Sequence, residues 1–346
     1  MRARSTCVLL AMAVSTLVSC TTGSDASDGA HRSGPTSAEV DNPTDEASAM
    51  FAGISADDPF CSAAVLEGDE VVFARAFGSI DGERTTTDSE VDIASVSKQF
   101  TGVAIELLVA RGELSGTDLV GTLVPASSPA TDDVTVDELL VHTSGLPDYG
   151  DLLAQDLDEP ASQSQAVAAI AQSEPGPPRG SFDYSNSNYV LLAEVVRSVT
   201  DTPLADFLDA EVFEPTDLDM DLGPRGPWQQ VGDGSIWTTP TELVRWSSQY
   251  WDQTLDGPDL VTAMFEPEAN ASEDGEATDD TYGSGVLRGS DVDGTRWLYH
   301  DGSWDRHETD WALIPDERLA AAVTCDVDAE PGRDVSAREL VELWRS

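Results

Sequence analysis

The chain has 346 residues, with 18 Lys+Arg against 65 Asp+Glu and a formal net charge of −47. At 40% hydrophobic residues it is apolar enough to bury a core, so the charge does not signal wholesale disorder. The same charge argues against a nucleic-acid partner, because a phosphate lattice repels such a surface.

Taken in chain order, the N-terminus reads as an export signal. Arg2 and Arg4 precede a short apolar run from Val8 to Val18. The run ends in Leu17-Val18-Ser19-Cys20, which resembles the lipobox of bacterial lipoproteins. That resemblance implies cleavage before Cys20, lipidation of Cys20, and a protein anchored by lipid on the extracytoplasmic face of the cell membrane. Residues 1–19 are then a signal peptide and 20–44 a flexible acidic tether, with no aromatic residue from 21 to 44. Residues 45–346 form one globular domain. No later run is apolar for 18 residues, so no membrane-spanning helix is expected.

Cys7 leaves with the signal and Cys20 carries lipid, which leaves Cys61 and Cys325. Both lie in strand-like runs, and an exported chain meets oxidising conditions. They are a candidate disulfide, with two buried thiols as the alternative. Residues 60–67 and 70–79 read as a hairpin turning at Gly68-Asp69. Residues 97–111 read as an amphipathic helix, with Phe100, Val103, Ala104, Leu107 and Leu108 on one face. Further helices are expected at 163–173, 187–199, 203–212, 240–251 and 334–345. Strand-like runs return at 282–288, 296–300, 309–314 and 319–326. Strands at both ends with helices between them predict an α+β fold. Its antiparallel sheet is built from N- and C-terminal strands and flanked by helices, with an all-helical subdomain inserted.

Seventeen of the 18 basic residues are arginine, and the single lysine is Lys98. It stands three residues after Ser95, a spacing that puts both on one helical face. A serine hydroxyl is a weak nucleophile until a neighbouring base takes its proton. Lysine can be that base and arginine cannot. A chain that otherwise uses arginine keeps lysine where arginine would fail chemically. Tyr184-Ser185-Asn186 follows a Pro/Gly-rich turn and precedes a helix. Its tyrosine can shuttle a proton and its asparagine can bind both a carbonyl and the lysine. His300-Asp301-Gly302-Ser303 ends a strand-like run, where Gly302 would let a substrate come close to the strand edge. The amides of Ser95 and Ser303 could together form an oxyanion hole.

Together these elements resemble the serine β-lactamase and penicillin-binding-protein superfamily. The nearer branch holds class C β-lactamases, D-alanyl-D-alanine carboxypeptidases, D-aminopeptidases and esterases. Ser95 to Lys98 matches the nucleophile motif, Tyr184-Ser185-Asn186 the Y-x-N motif, and His300-Asp301-Gly302 the third motif in an H-x-G form. Leu139-Leu140-Val141-His142-Thr143-Ser144-Gly145-Leu146-Pro147 resembles a signature loop, and Tyr282-Gly283-Ser284-Gly285 the strand before the third motif. The resemblance implies a β-lactamase/transpeptidase-like fold and acyl transfer by Ser95, with Lys98 and Tyr184 managing protons. Asn186, His300, Gly302, Ser303 and Trp304 would bind substrate, with no metal or organic cofactor. It also implies that the first and last strands are neighbours, which favours a Cys61–Cys325 bridge.

The sequence departs from the family after the third motif. Where members usually carry Gly-Phe, this chain has Arg306-His307, followed by Glu308. His300 replaces the lysine of the K-T-G form, so Arg306 is the candidate to supply positive charge for a substrate carboxylate. No G-x-S-x-G, P-loop or H-E-x-x-H occurs. The expectation is a monomeric envelope serine hydrolase acting on a small-molecule or peptide substrate: a D-amino-acid peptide, β-lactam or small ester. Esterase or D-amino-acid peptidase action is favoured over β-lactamase action. The competing reading is a lipoprotein that binds peptidoglycan peptides or β-lactams without turnover, favoured by the altered 306–308 segment.

Overall fold

A computed structural model describes residues 42–124, 130–153, 161–174, 176, 178–225, 229–272, 278–330 and 332–345. The export signal, Cys20 and most of the expected tether lie outside them. The first helix, α1 (Pro43–Met50), begins two residues before the expected domain boundary, capped by the Asn42 side chain.

The main sheet has eight antiparallel strands. They are β1 (Cys61–Glu67), β2 (Glu70–Phe77), β3 (Ala269–Asn270), β4 (Thr281–Tyr282), β5 (Leu287–Ser290), β6 (Arg296–Trp304), β7 (His307–Ile314) and β8 (Leu319–Asp326), in the order β2-β1-β8-β7-β6-β5-β4-β3. The expected hairpin forms, with Glu67 opposite Glu70 across the Gly68-Asp69 turn. The expected run 282–288 divides instead, because residues 283–286 turn away between β4 and β5.

β1 pairs with β8 along its whole length, which seats Cys61 opposite Cys325. The two are joined by a disulfide. In β8 the faces alternate. Ala320 and Ala322 pack in the larger core, while Ala321 and Val323 pack in the smaller one with α1 and the C-terminal helix. A strand covered on both sides reads as an unbroken apolar run, as Leu319-Ala-Ala-Ala-Val323 does.

On the other face lies α2 (Lys98–Ala110), buried from Lys98 through Leu108. The expected amphipathic helix is thus a central one, polar residues included. It approaches the turn between β4 and β5 closely at Gly102, where a Cβ would fall 2.0 Å from the Ser284 carbonyl oxygen. α3 (Asn186–Thr200) packs beside it, and the last helix is α4 (Ala337–Arg345). The intervening helical region also holds several short helices, including Val136–Leu140 and Tyr149–Leu152. No helix among the described residues is long and apolar enough to cross a membrane.

Candidate active site

Ser95 sits in a single 3-10 turn, Ala94–Ser97, that runs straight into α2. Ala94 takes a left-handed backbone, φ +50°, uncommon for a residue with a side chain. Across residues 91–100 only Ser95 escapes burial. The turn is tied from several sides. Ile93 N–H donates to the Ile236 carbonyl at 3.0 Å, and Ile236 N–H to Ser97 Oγ at 3.3 Å. Strand β6 presses on it at Gly302, where a Cβ would meet the Ser95 nitrogen at 2.7 Å. The missing side chain of Gly302 thus makes room for the serine turn, and Gly302 also lines the cavity beside Ser95.

Lys98 is fully buried, and its side-chain nitrogen has three partners. Nζ lies 2.9 Å from Ser95 Oγ, 2.8 Å from Asn186 Oδ1 and 2.8 Å from the Asp233 carbonyl oxygen. Two of these are fixed carbonyl acceptors, so the third direction from Nζ points at the serine hydroxyl. Nζ also stands 5.1 Å from the Tyr184 ring centre and 5.7 Å from that of Tyr189. The sequence motifs thus converge: Ser95, Lys98 and Asn186 share hydrogen bonds, and Tyr184 lines the same cavity as Ser95.

Several supports have no motif of their own. Asp148 Oδ2 accepts the Asn186 N–H at 2.8 Å and fixes the start of α3. Asp233 is buried, and its Oδ2 accepts the Tyr149 hydroxyl at 2.9 Å. Burial raises the Asp233 carboxyl above its ordinary range, with nearby Lys98 opposing. His142 stacks on Tyr184 with ring centres 4.3 Å apart. Its Nδ1 accepts the Ser185 N–H at 3.1 Å, and burial holds it far below the usual histidine range. Residues 139–147 stood out in the sequence as a loop, but nothing there marked His142 as the platform under Tyr184.

His300 is buried, and burial, aided by Lys98, lowers it to about 4. Its Nδ1 faces the Asp301 carbonyl, so Nδ1 carries the proton and Nε2 accepts from the Tyr282 hydroxyl at 3.1 Å. At neutral pH it is an uncharged spacer. Together with Ser95, Tyr184, Gly302 and Ser303 it lines a cavity of about 580 Å³. Phe182, Tyr282 and Tyr299 supply aromatic wall, and Asp280 and Asp301 supply negative charge. Among the described residues no arginine or lysine lines it.

Trp304 and Arg306 do not join this cavity. Both line a neighbouring one of about 260 Å³, with Trp237 and His307. Arg306 Nη2 pairs with Asp326 Oδ2 at 2.7 Å, and Glu308 pairs with Arg333 at 3.3 Å. Arg306, the expected carboxylate anchor, is thus placed at the β6–β7 turn and paired with Asp326. A hairpin end can present its residues to either side, and the partner that decides, Asp326, is distant in sequence.

The family model for Beta-lactamase matches residues 52–343. This chain belongs to the beta-lactamase family. Within that family it is 31% identical over 160 residues to Penicillin-binding protein 4* of Bacillus subtilis (strain 168), across 44% of this chain and 35% of the relative. The chain therefore spans about a third of that curated relative's length. An octameric penicillin-binding protein homologue from Pyrococcus abyssi superposes with a TM-score of 0.73 at 20% identity, covering 89% of this chain and 78% of the other. The D-amino acid amidase of Ochrobactrum anthropi SV3, complexed with L-phenylalanine, gives 0.68 at 20% identity, covering 86% and 96%. These two likenesses are of fold. The beta-lactamase fold here carries its serine and lysine on one turn and one helix, with the third motif on the strand beside them.

Proposed function

We infer that this beta-lactamase-family protein is a serine hydrolase that works through an acyl-enzyme. The observation that carries the reading is the three-way bonding of buried Lys98 to Ser95 Oγ, Asn186 Oδ1 and the Asp233 carbonyl. Ser95 Oγ attacks the substrate carbonyl and its proton passes to Lys98, the nearest base. The amides of Ser95 and Ser303 hold the oxyanion. Collapse breaks the bond to the leaving group, which takes a proton from the Lys98–Tyr184 pair, and water then releases the acyl group by the reverse path.

The cavity's charge supports a narrower substrate. With Asp280 and Asp301 in the wall, His300 neutral and Arg306 turned to Asp326, a free carboxylate on the substrate finds repulsion instead of a partner. We therefore favour an amide or ester without a carboxylate beside the scissile bond. A C-terminal peptide bond and a penicillin both carry one. The amidase relationship of fold is in keeping with this. The lipobox-like Leu17 to Cys20 run supports an envelope location.

The test is intact-mass spectrometry after treatment with a fluorophosphonate, with Ser95→Ala as control, followed by turnover assays. A Ser95 adduct and hydrolysis of D-amino acid amides or esters in preference to their carboxylate-bearing counterparts are expected. Folded protein that forms no adduct, or that prefers the carboxylates, overturns the respective part.

A further inference from the structure

The segment that departs from the family, Arg306 to Glu308, is built into the support of the nucleophile. His307 Nδ1 accepts the backbone N–H of Asp92 at 3.2 Å. The His307 ring is held edge-on between Phe60 and Trp237, with ring centres 5.6 and 5.7 Å away. Asp92 itself pairs with Trp237 in a small three-stranded sheet of Val91–Asp92, Ile236–Thr238 and Asp221–Leu222. Its buried carboxylate Oδ1 accepts the Ala94 N–H at 2.9 Å. Ala94 is the left-handed residue just before Ser95. The bond thus closes over the strained residue and fixes the direction in which the chain enters the serine turn.

We propose that Asp92 and His307 form a latch that holds the Ser95 turn in its reactive geometry, with Asp92 a positioning residue acting through the Ala94 amide. The latch rests on the serine-hydrolase reading. It differs from a packing contact because both acceptors titrate. Burial raises the Asp92 carboxyl to about 6, helped by Asp233 and Asp305, while the Ala94 and Ser235 backbone bonds oppose. Burial lowers His307, with Arg306 adding to the fall and Asp305 and Asp326 opposing it. Asp81, Glu90 and Arg225 complete the charged groups around the same cavity. Near neutral pH Asp92 is ionised and His307 is neutral, so both accept. Acid removes the charge from Asp92 and weakens its hold on Ala94.

Phosphonylation of Ser95 by a fluorophosphonate, timed from about pH 5 to about pH 8, tests the latch. Wild-type rates should fall on the acid side with an apparent pKa near that of Asp92. Asp92→Asn keeps a carbonyl acceptor for Ala94 but cannot titrate. It should react within about threefold of wild type at the alkaline end and lose the acid limb near pH 6. Asp92→Ala should be slower by about tenfold or more at every pH, since small displacements of a reacting group are costly. His307→Phe keeps the ring contacts and removes the acceptor, and should slow the reaction too. An Asp92→Asn acid limb unchanged from wild type overturns the latch, as do alanine and phenylalanine variants that are folded and react at wild-type rates. A wild-type protein that never reacts at Ser95 refutes the hydrolase reading instead, so the two failures are distinct.

Discussion

Gly302 of strand β6 faces the backbone nitrogen of Ser95 so closely that a Cβ there would stand 2.7 Å from it and 3.0 Å from the Ala94 Cβ. The third motif therefore needs glycine for the fit of strand against serine turn. Gly302→Ala should leave the protein folded but push the turn away, costing about 1–3 kcal/mol of stability through overpacking. The Ser95 reaction should slow by about tenfold or more, because the nucleophile and its oxyanion donor move together. Thermal unfolding and adduct-formation rates, taken together, check this. An alanine variant equal to wild type in both would show that the strand yields.

Lys98→Arg should abolish turnover even in a chain that uses arginine almost everywhere else. The site offers two fixed carbonyls and one hydroxyl at 2.8–2.9 Å around a single nitrogen. A planar guanidinium neither fits that arrangement nor accepts a proton. A loss of about a thousandfold in acylation rate is expected from removing the base. Stopped-flow or timed mass spectrometry reads it directly.

Arg306→Ala should change KM equally little for carboxylate-bearing and neutral substrates. Its side chain is 59% exposed, pairs with Asp326 and lines the neighbouring cavity. A selective rise in KM for carboxylates would return Arg306 to the role its sequence position suggested. Steady-state kinetics on a matched acid and amide pair decide between the two.

Glu106 lies buried on α2, its Oε1 accepting the Ser284 hydroxyl at 2.7 Å, and burial raises its carboxyl to about 7. In the unfolded chain the same group releases its proton near its ordinary 4.5. Between these values the folded state binds the extra proton, so stability falls as pH rises from about 4.5 to about 7 and levels off above. Glu106→Gln keeps an acceptor for Ser284 and removes the charge. It should stabilise the protein by roughly 2–3 kcal/mol above pH 7 and by little near pH 5. Denaturant melts at the two pH values measure the difference, and equal gains at both would contradict it.

The parts of the site that were legible in the sequence are those in which a side chain's chemistry is unusual for its surroundings. A lone lysine in an arginine-only chain pointed to Lys98, and through it to Ser95. Two strand-like runs flanking Gly68-Asp69 marked the hairpin, because those two residue types suit the turn that joins paired strands. What escaped notice acts through the backbone or through a partner far away. Asp233 contributes a carbonyl oxygen to Lys98, and any residue has one. Its place between two glycines reads only as a turn. His142 supports Tyr184 by stacking, which leaves no spacing signal. Helices such as Val136–Leu140 span little more than a turn, too short to display a period. The pairing of Arg306 with Asp326 left no sequence signal, because a tight turn gives no clue to which side of the sheet its residues face.

The bond between Cys61 and Cys325 spans 264 positions of sequence, and the serine, lysine, tyrosine and third motif all lie inside that span. The chain from one cysteine to the other is therefore a closed ring. A single proteolytic cut anywhere within it opens the ring without releasing a fragment. On a gel run without reductant such a nicked molecule would still migrate as one species. Only after reduction would two pieces part, which makes the gel comparison a direct record of past cleavage in the loops around the site.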